Sequence, residues 1–344
     1  MPSHATAFGP GRVNLIGEHT DYNDGLALPF AISDGVTVRA SAGRDGRIDA
    51  VAADLGESDS FPVARPERAD GWRAFVRGAV GELERSGVSV AGAELEISGT
   101  VPRGAGLSSS AALEVALVLA LLSVSGVAEP ERIELAKLCS RVENDWVGAQ
   151  TGLLDQIASL CGEADRALQI DFRTLSVQPV ALELGEFKLV TLHSGEAHSH
   201  ARSGYNERRA ECAEAASLLG VASLRDATLE EASRLPEPLS RRARHVITEN
   251  SRVEEAVRAL ERRDMDELGR LLDASHASLR DCYEVSTPAV EEAVGRCKRA
   301  GALGARIMGG GFGGSVLALL PAEALAPSGA VEVAPGSGAR VSKS

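Results

Sequence analysis

The chain is short of positive charge: 36 lysines and arginines stand against 49 aspartates and glutamates, a net charge of −13 over 344 residues. Such a balance argues against nucleic acid or an anionic membrane as a partner, because neither is drawn to an acidic surface. A cysteine framework is lacking as well. Cys139, Cys161, Cys212, Cys282 and Cys297 are odd in number, widely spaced and never in a C-x-x-C. That fits reduced thiols in a cytoplasmic protein better than disulfides or zinc. No basic-plus-apolar leader follows Met1. The most apolar run is interrupted by Glu114 and Ser123 and is too short to span a bilayer. What remains is the composition of a soluble globular protein, long enough for two domains.

Against these absences stands one glycine-rich stretch, Pro102-Arg103-Gly104-Ala105-Gly106-Leu107-Ser108-Ser109-Ser110, before an alanine- and leucine-rich run from Ala111 to Leu122. Glycines at 104 and 106 let the backbone approach a ligand closely. The run that follows predicts a helix with serine at its cap. A helix N-terminus behind flexible N–H groups suits an anion, and an ordinary strand-to-helix loop is the plain alternative. The loop has no Gly-Lys-Ser/Thr ending, so it is not a P-loop. It ends in serine where a dinucleotide fingerprint needs a third glycine. A second candidate, Gly309 to Gly314, spells G-x-G-x-x-G, but Val316 to Leu320 after it reads as a strand, which removes the dinucleotide reading.

Near the start, Glu18, His19, Asp21 and Tyr22 crowd between Gly17 and Gly25. A polar loop or a metal site on His19 and Asp21 are possible readings, though a metal would want further ligands nearby. Carboxylates and imidazole together suit a polyol, whose hydroxyls both donate and accept. Glu143 falls on a helical face of small residues, either near a cleft or as a plain surface glutamate. Asp155 interrupts an apolar segment and is expected to be shielded, so it needs a partner or a purpose. Arg241-Arg242-Ala243-Arg244-His245 reads as a solvated helical face.

The loop through Ala111 resembles Pro-x-Gly-x-Gly-Leu-Ser-Ser-Ser-Ala, the ATP loop of the galacto-, homoserine, mevalonate and phosphomevalonate (GHMP) kinases. The run from Gly11 to Tyr22 resembles the narrower galactokinase signature, and Gly152-Leu153-Leu154-Asp155-Gln156 matches that family's Gly-x-x-Asp-Gln. Ser275 to Ser286 is also similar, with Cys282 where aspartate is commoner. The resemblance runs from Gly11 to about Leu320. It implies an α+β protein of the two-domain GHMP-kinase fold, domains 1–180 and 181–344, with the active site in the cleft between them. It further implies transfer of the ATP γ-phosphoryl group to the anomeric hydroxyl of galactose.

The same resemblance assigns roles. Asp155 would accept or orient the sugar hydroxyl proton, with Arg12 steadying the phosphoryl group and keeping Asp155 ionised. Glu18, His19, Asp21, Gly152 and Tyr205 would meet the sugar. Gly104, Gly106, Leu107, Ser108, Ser109 and Ser110 would hold ATP, with Trp72 lining the adenine pocket. Ser110 and Glu143 would hold Mg²⁺. Two alternatives remain: a kinase for a related sugar such as N-acetylgalactosamine, and a non-catalytic sugar and ATP sensor. Such sensors tend to lose the Ser-Ala pair, which is intact here at Ser110-Ala111. A monomer is the default expectation.

Local patterns predict strands over Ala5–Gly9, Val36–Ser41 and Ile48–Ala52, the last two paired through a turn at Gly43–Gly46. Helices are expected over Trp72–Arg85 and from Pro130 to about Ala149, strands at Leu95–Ser98, Leu168–Phe172 (an edge) and Leu189–His193. Amphipathic helices fill Glu207 to Leu279. The tail beyond Pro321 is expected to lack a terminal helix.

Overall fold

The computed structural model describes residues 4–43, 46–101, 106–196 and 201–343. The first half contains β1 (His4–Asn14), a 3-10 turn (Asp21–Asn23), β2 (Leu26–Ala27), β3 (Pro29–Ala42), β4 (Arg47–Ala52) and β5 (Glu57–Pro62). It continues with α1 (Trp72–Arg85), β6 (Ala93–Gly99), α2 (Ser109–Val124), α3 (Arg132–Arg141), α4 (Leu154–Cys161), β7 (Arg166–Asp171) and β8 (Ser176–Ala181). The second half holds β9 (Phe187–His193), α5 (Ala201–Leu219), α6 (Leu229–Ala232), α7 (Leu239–Glu261), α8 (Met265–Asp281) and α9 (Pro288–Arg299). It closes with β10 (Gly304–Ile307), β11 (Ser315–Pro321), β12 (Ala330–Val333) and β13 (Arg340–Lys343).

Three sheets result, ordered β13-β1-β3-β6-β4-β5, β10-β11-β9-β12 and β2-β7-β8. The expected pairing of β3 with β4 is not made. β6 inserts between them, antiparallel to β3 and parallel to β4. Alternation fixes which face of a strand is buried but not which strand lies beside it. The parallel pair needs a crossover, which β5 and α1 supply. Nor is β7 an edge, since it lies between β2 and β8.

α2 is apolar all round and buried along nearly its whole length, as such a helix must be. It rests on β1, and a Cβ at Gly9 would come within 2.2 Å of the Ala112 carbonyl oxygen, so only glycine lets helix and strand meet. The helix expected from Pro130 starts at Arg132 and then widens. Residues Val142–Val147 are π-helical, and the Gly148 N–H donates to the Glu143 carbonyl five residues back.

A core of Val13, Leu15, Phe30, Val253, Leu268 and Leu317 joins residues from both halves. The tail forms strands and splits between sheets: β12 pairs with β9, and β13 returns to pair with β1. The run from Arg241 to His245 is not a solvated face throughout. Arg242 and His245 are buried, Arg242 against Glu211 and Glu284. All five cysteines are free. Among the described residues no helix is long and apolar enough to cross a membrane.

Candidate active site

A cavity of about 340 Å³ is lined from Arg12 and Glu18 at one end of the sequence to Tyr205 and Gly310 at the other. That volume lies in the ordinary range for small-molecule sites. Arg12 enters it where β1 shifts register between Pro10 and Arg12. Its Nε and Nη2 both lie 2.8 Å from Asp155 Oδ1, and Nη1 donates to the Gly106 carbonyl at 2.6 Å. Asp155 stands in the first turn of α4. Ser108 sits at the N-cap position of α2 with a left-handed φ of 54°, yet makes no side-chain cap. Its hydroxyl donates to Asp155 Oδ2 instead. The expected serine cap is not made, because Ser108 is left-handed and its hydroxyl is turned toward Asp155, and α2 opens on the cavity without one.

On the other wall, Glu18 Oε1 accepts from the Gly309 N–H at 2.8 Å and lies 3.1 Å from Nη2 of the fully buried Arg306. Arg306 also donates to the carbonyls of Asn14 and Leu15. Behind this loop the His245 Nε2 is 3.1 Å from the Glu18 carbonyl, and buried Glu249 accepts from the Gly17 N–H and Ser275. The charges of Arg252, His245 and Arg306 outweigh Glu249's burial and hold its carboxyl near 2.

His19 has a left-handed φ of 61°. Burial, then the neighbouring His245, pushes its imidazole down to about 3. Its Nδ1 lies 2.8 Å from the Tyr22 hydroxyl, while the buried Nε2 has no hydrogen-bond partner of normal geometry. Asp21 is pushed up to about 7 by burial and by the charges of Asp155 and Glu18. Gly152 packs against it: a Cβ there would lie 2.0 Å from Asp21 Oδ2. Tyr205, on α5, stands 5.2 Å centroid to centroid from His19.

Glu143 lies in the π turn and is buried, which raises its carboxyl pKa, with the charge of Asp155 adding to the effect. Thr151 donates to its Oε2 at 2.8 Å, Gln156 at 3.0 Å, and the Ser110 hydroxyl is also bonded to it. Gln156 bridges onward to fully buried Glu114 on α2 at 3.1 Å. Ser110 and Glu143 thus meet as expected. Among the described residues no group of three or more His, Cys, Asp or Glu could hold a metal alone. One carboxylate and one hydroxyl nonetheless fit Mg²⁺, which commonly takes one or two carboxylates plus substrate phosphates.

Gly106, Leu107, Ser108 and Ser109 line the same cavity. Gly104 falls outside the described residues. Trp72 is not brought to the cavity. It opens α1, its Nε1 donates to Glu57 at 2.9 Å, and Arg73 lies over its ring. Sequence reasoning missed Arg306, Glu249, His245, Tyr283, Thr151 and Asn206. Glu114, a lone charge in an apolar run, and Gln156, beside Asp155, carried a visible signal; Arg306 carried none.

Three family models match: the galactokinase galactose-binding signature over residues 2–42, the GHMP kinases N terminal domain over 74–163 and the GHMP kinases C terminal over 256–332. The galactokinase of Mycobacterium tuberculosis is 44% identical over 321 residues, covering 91% of this chain and 88% of that one. That of Streptomyces coelicolor is 43% identical over 325 residues, 91% and 84%. The crystal structure of Lactococcus lactis galactokinase complexed with galactose superposes with a TM-score of 0.93 at 34% identity, covering 98% of this chain and 95% of that one. Methanococcus jannaschii mevalonate kinase, at 19% identity and a TM-score of 0.66 over 92% and 91%, shares the fold.

Proposed function

The chain belongs to the galactokinase family of the GHMP kinases, and from that membership we propose how its own residues carry the reaction. The enzyme is an ATP-dependent sugar kinase that phosphorylates galactose at its anomeric hydroxyl, giving galactose 1-phosphate. The observation that carries the assignment of residues is the cluster of Arg12, Asp155 and Ser108, set between the serine loop and the wall of Glu18, His19 and Asp21.

Phosphoryl transfer needs positioning and charge neutralisation more than covalent help. Asp155 orients the anomeric hydroxyl and accepts its proton. Arg12, anchored by Asp155 and the Gly106 carbonyl, presents positive charge to the migrating group. The loop backbone at Gly106 and Leu107, with Ser108, Ser109 and the uncapped start of α2, holds phosphate oxygens. Ser110 and Glu143 would hold Mg²⁺, which supplies neutralising charge at the β- and γ-phosphates. Glu18, His19, Asp21 and Tyr205 bind sugar hydroxyls, and Gly152 leaves room for Asp21. The remaining ATP contacts fall to Gly104; Trp72, which stands outside the cavity lining, would serve only an adenine that extends beyond it.

Residues 1–180 and 181–344 act as two domains that flank this cavity. We take the chain to work as a monomer. Five free thiols support a cytoplasmic setting. The test is kcat/KM for galactose, glucose and N-acetylgalactosamine, read as ADP release at saturating MgATP. A site built for a given hydroxyl rejects an analogue that leaves its polar groups unpaired by roughly 10⁴–10⁵. Comparable values for glucose and galactose would refute this reading of the sugar wall, and a preference for N-acetylgalactosamine would change the substrate.

A further inference from the structure

The chain has three tyrosines, and all three rings surround His19, with centroids at 5.9 Å for Tyr22, 5.2 Å for Tyr205 and 4.7 Å for Tyr283. From His19 a chain of hydrogen bonds leads away from the cavity. Nδ1 lies 2.8 Å from the Tyr22 hydroxyl, that hydroxyl 2.9 Å from the Tyr283 hydroxyl, and the latter 2.9 Å from Cys212 Sγ. Tyr283 and Cys212 are buried, so water does not compete at the far end.

Each phenol has one proton and gives it in one direction. Sulfur is a weak acceptor, so Tyr283 donates to the oxygen of Tyr22 and not to Cys212. An imidazole nitrogen is a far better acceptor than a phenol oxygen, so Tyr22 donates to Nδ1. Burial keeps the Cys212 thiol protonated, its pKa up at about 11, which leaves an S–H to complete the series. His19 is neutral and has one ring proton. With Nδ1 accepting, that proton belongs on Nε2, the buried atom without a partner of normal geometry on a residue that lines the cavity. The Gly310 backbone also bonds toward the ring, which favours its carrying a proton.

We propose that Tyr283 and Tyr22 are positioning residues that fix His19 as its Nε2–H tautomer, making it a hydrogen-bond donor beside the carboxylates of the sugar wall. Glu18 and Asp155 take hydrogens from sugar hydroxyls; His19 takes a lone pair. One hydroxyl can then be held from both sides, which sets its orientation as well as its place. The proposal rests on the cavity's being the sugar site, so the decisive measurement is made without sugar.

In protein labelled with ¹⁵N-histidine, the ring-nitrogen shifts report the tautomer of each histidine, and His19→Gln identifies the signals of His19. The wild type is expected to be protonated on Nε2. Tyr22→Phe removes the donor to Nδ1, and Tyr283→Phe removes the donor that orients Tyr22, so each is expected to give a mixture of tautomers. Each should also raise KM for galactose about tenfold, the loss of roughly one buried hydrogen bond, with KM for ATP unmoved. A wild-type His19 protonated on Nδ1 overturns the proposal, and that measurement needs no variant to fold. Variants that keep both the wild-type tautomer and the wild-type KM overturn it too. A tautomer that changes without any change in galactose KM refutes the sugar-facing half and leaves the relay.

Discussion

Replacing Gly152 by alanine should disable the sugar wall without touching any group that does chemistry. The new Cβ would stand 2.0 Å from Asp21 Oδ2, 2.5 Å from its Cγ and 3.0 Å from its Cβ. Ordinary contact begins near 3.4 Å, so the carboxylate must retreat by more than an ångström. The near contact is the whole end of a short side chain, and Asp21 sits in a 3-10 turn bounded by buried Thr20 and Asn23. Backing away therefore means either a new rotamer that leaves the cavity or a displaced turn. A misplacement of about 1 Å in a binding constellation can cost about 10²-fold, and kcat/KM for galactose is expected to fall by that order. Overpacking of this kind costs about 1–3 kcal/mol in stability, so a modest fall in Tm should accompany it. Steady-state kinetics at saturating MgATP, beside a thermal melt, separates the two effects. If kcat/KM stays within about threefold of wild type, under 1 kcal/mol at about 1.4 kcal/mol per decade, the placement of Asp21 against the sugar is wrong.

Ser110→Ala and Glu143→Gln should each raise the Mg²⁺ concentration giving half-maximal rate at saturating ATP, since each removes one oxygen ligand from a hard cation. Unchanged midpoints in both would end the shared-metal assignment. Stability should also carry the mark of Asp21, whose carboxyl is raised from 3.8 to about 7 in the folded chain. Between about pH 4 and pH 7 the folded state holds a proton that the unfolded state has lost, so stability falls as pH rises through that window. Asp21→Asn cannot titrate and should escape this fall, gaining on the wild type by at most about 4 kcal/mol, at about 1.4 kcal/mol per pH unit. Urea unfolding of both proteins at pH 4.5 and pH 8 measures it, and a constant difference between them refutes the shift.

Much of the site could be read in the sequence because its parts are contiguous. The run from Arg12 to Tyr22, the serine loop and the Gly152–Gln156 segment each announce themselves by chemistry that local structure does not require. The helix expected over Trp72–Arg85 has those bounds in the structure. What escaped was set by distance in the chain. Arg306 supports Glu18 across nearly 290 residues of sequence, about which a strand of mixed residues says nothing. Glu114 was visible as an intruder in an apolar run, but its partner Gln156 belongs to a different helix. Alternation located β3 and β4 and still misassigned their neighbour, because only the whole sheet decides where β6 goes. Local propensity puts a serine cap on α2, yet Ser108 at that position is left-handed and its hydroxyl turns to a carboxylate 47 residues on.

The π turn at Val142–Val147 makes chain length itself a functional quantity. A wide turn of this kind holds one residue more than an α-helix would over the same span. Deleting one residue after Glu143 would let the segment close to an ordinary α-helix over the same span, so the flanking segments would stay in place while the widened turn itself was lost. The Glu143 carbonyl would then no longer gather the N–H groups of Gly148 and Ala149, and the turn that sets Glu143 against Thr151 would be gone, although the cavity side chains were still present in the sequence. A surface loop absorbs a lost residue at little cost; here the flanks are spared and the cost falls on the turn that carries Glu143. Among relatives that share the activity, gaps should therefore collect elsewhere, and a homologue shortened by one residue here is the one to suspect of binding sugar without phosphorylating it.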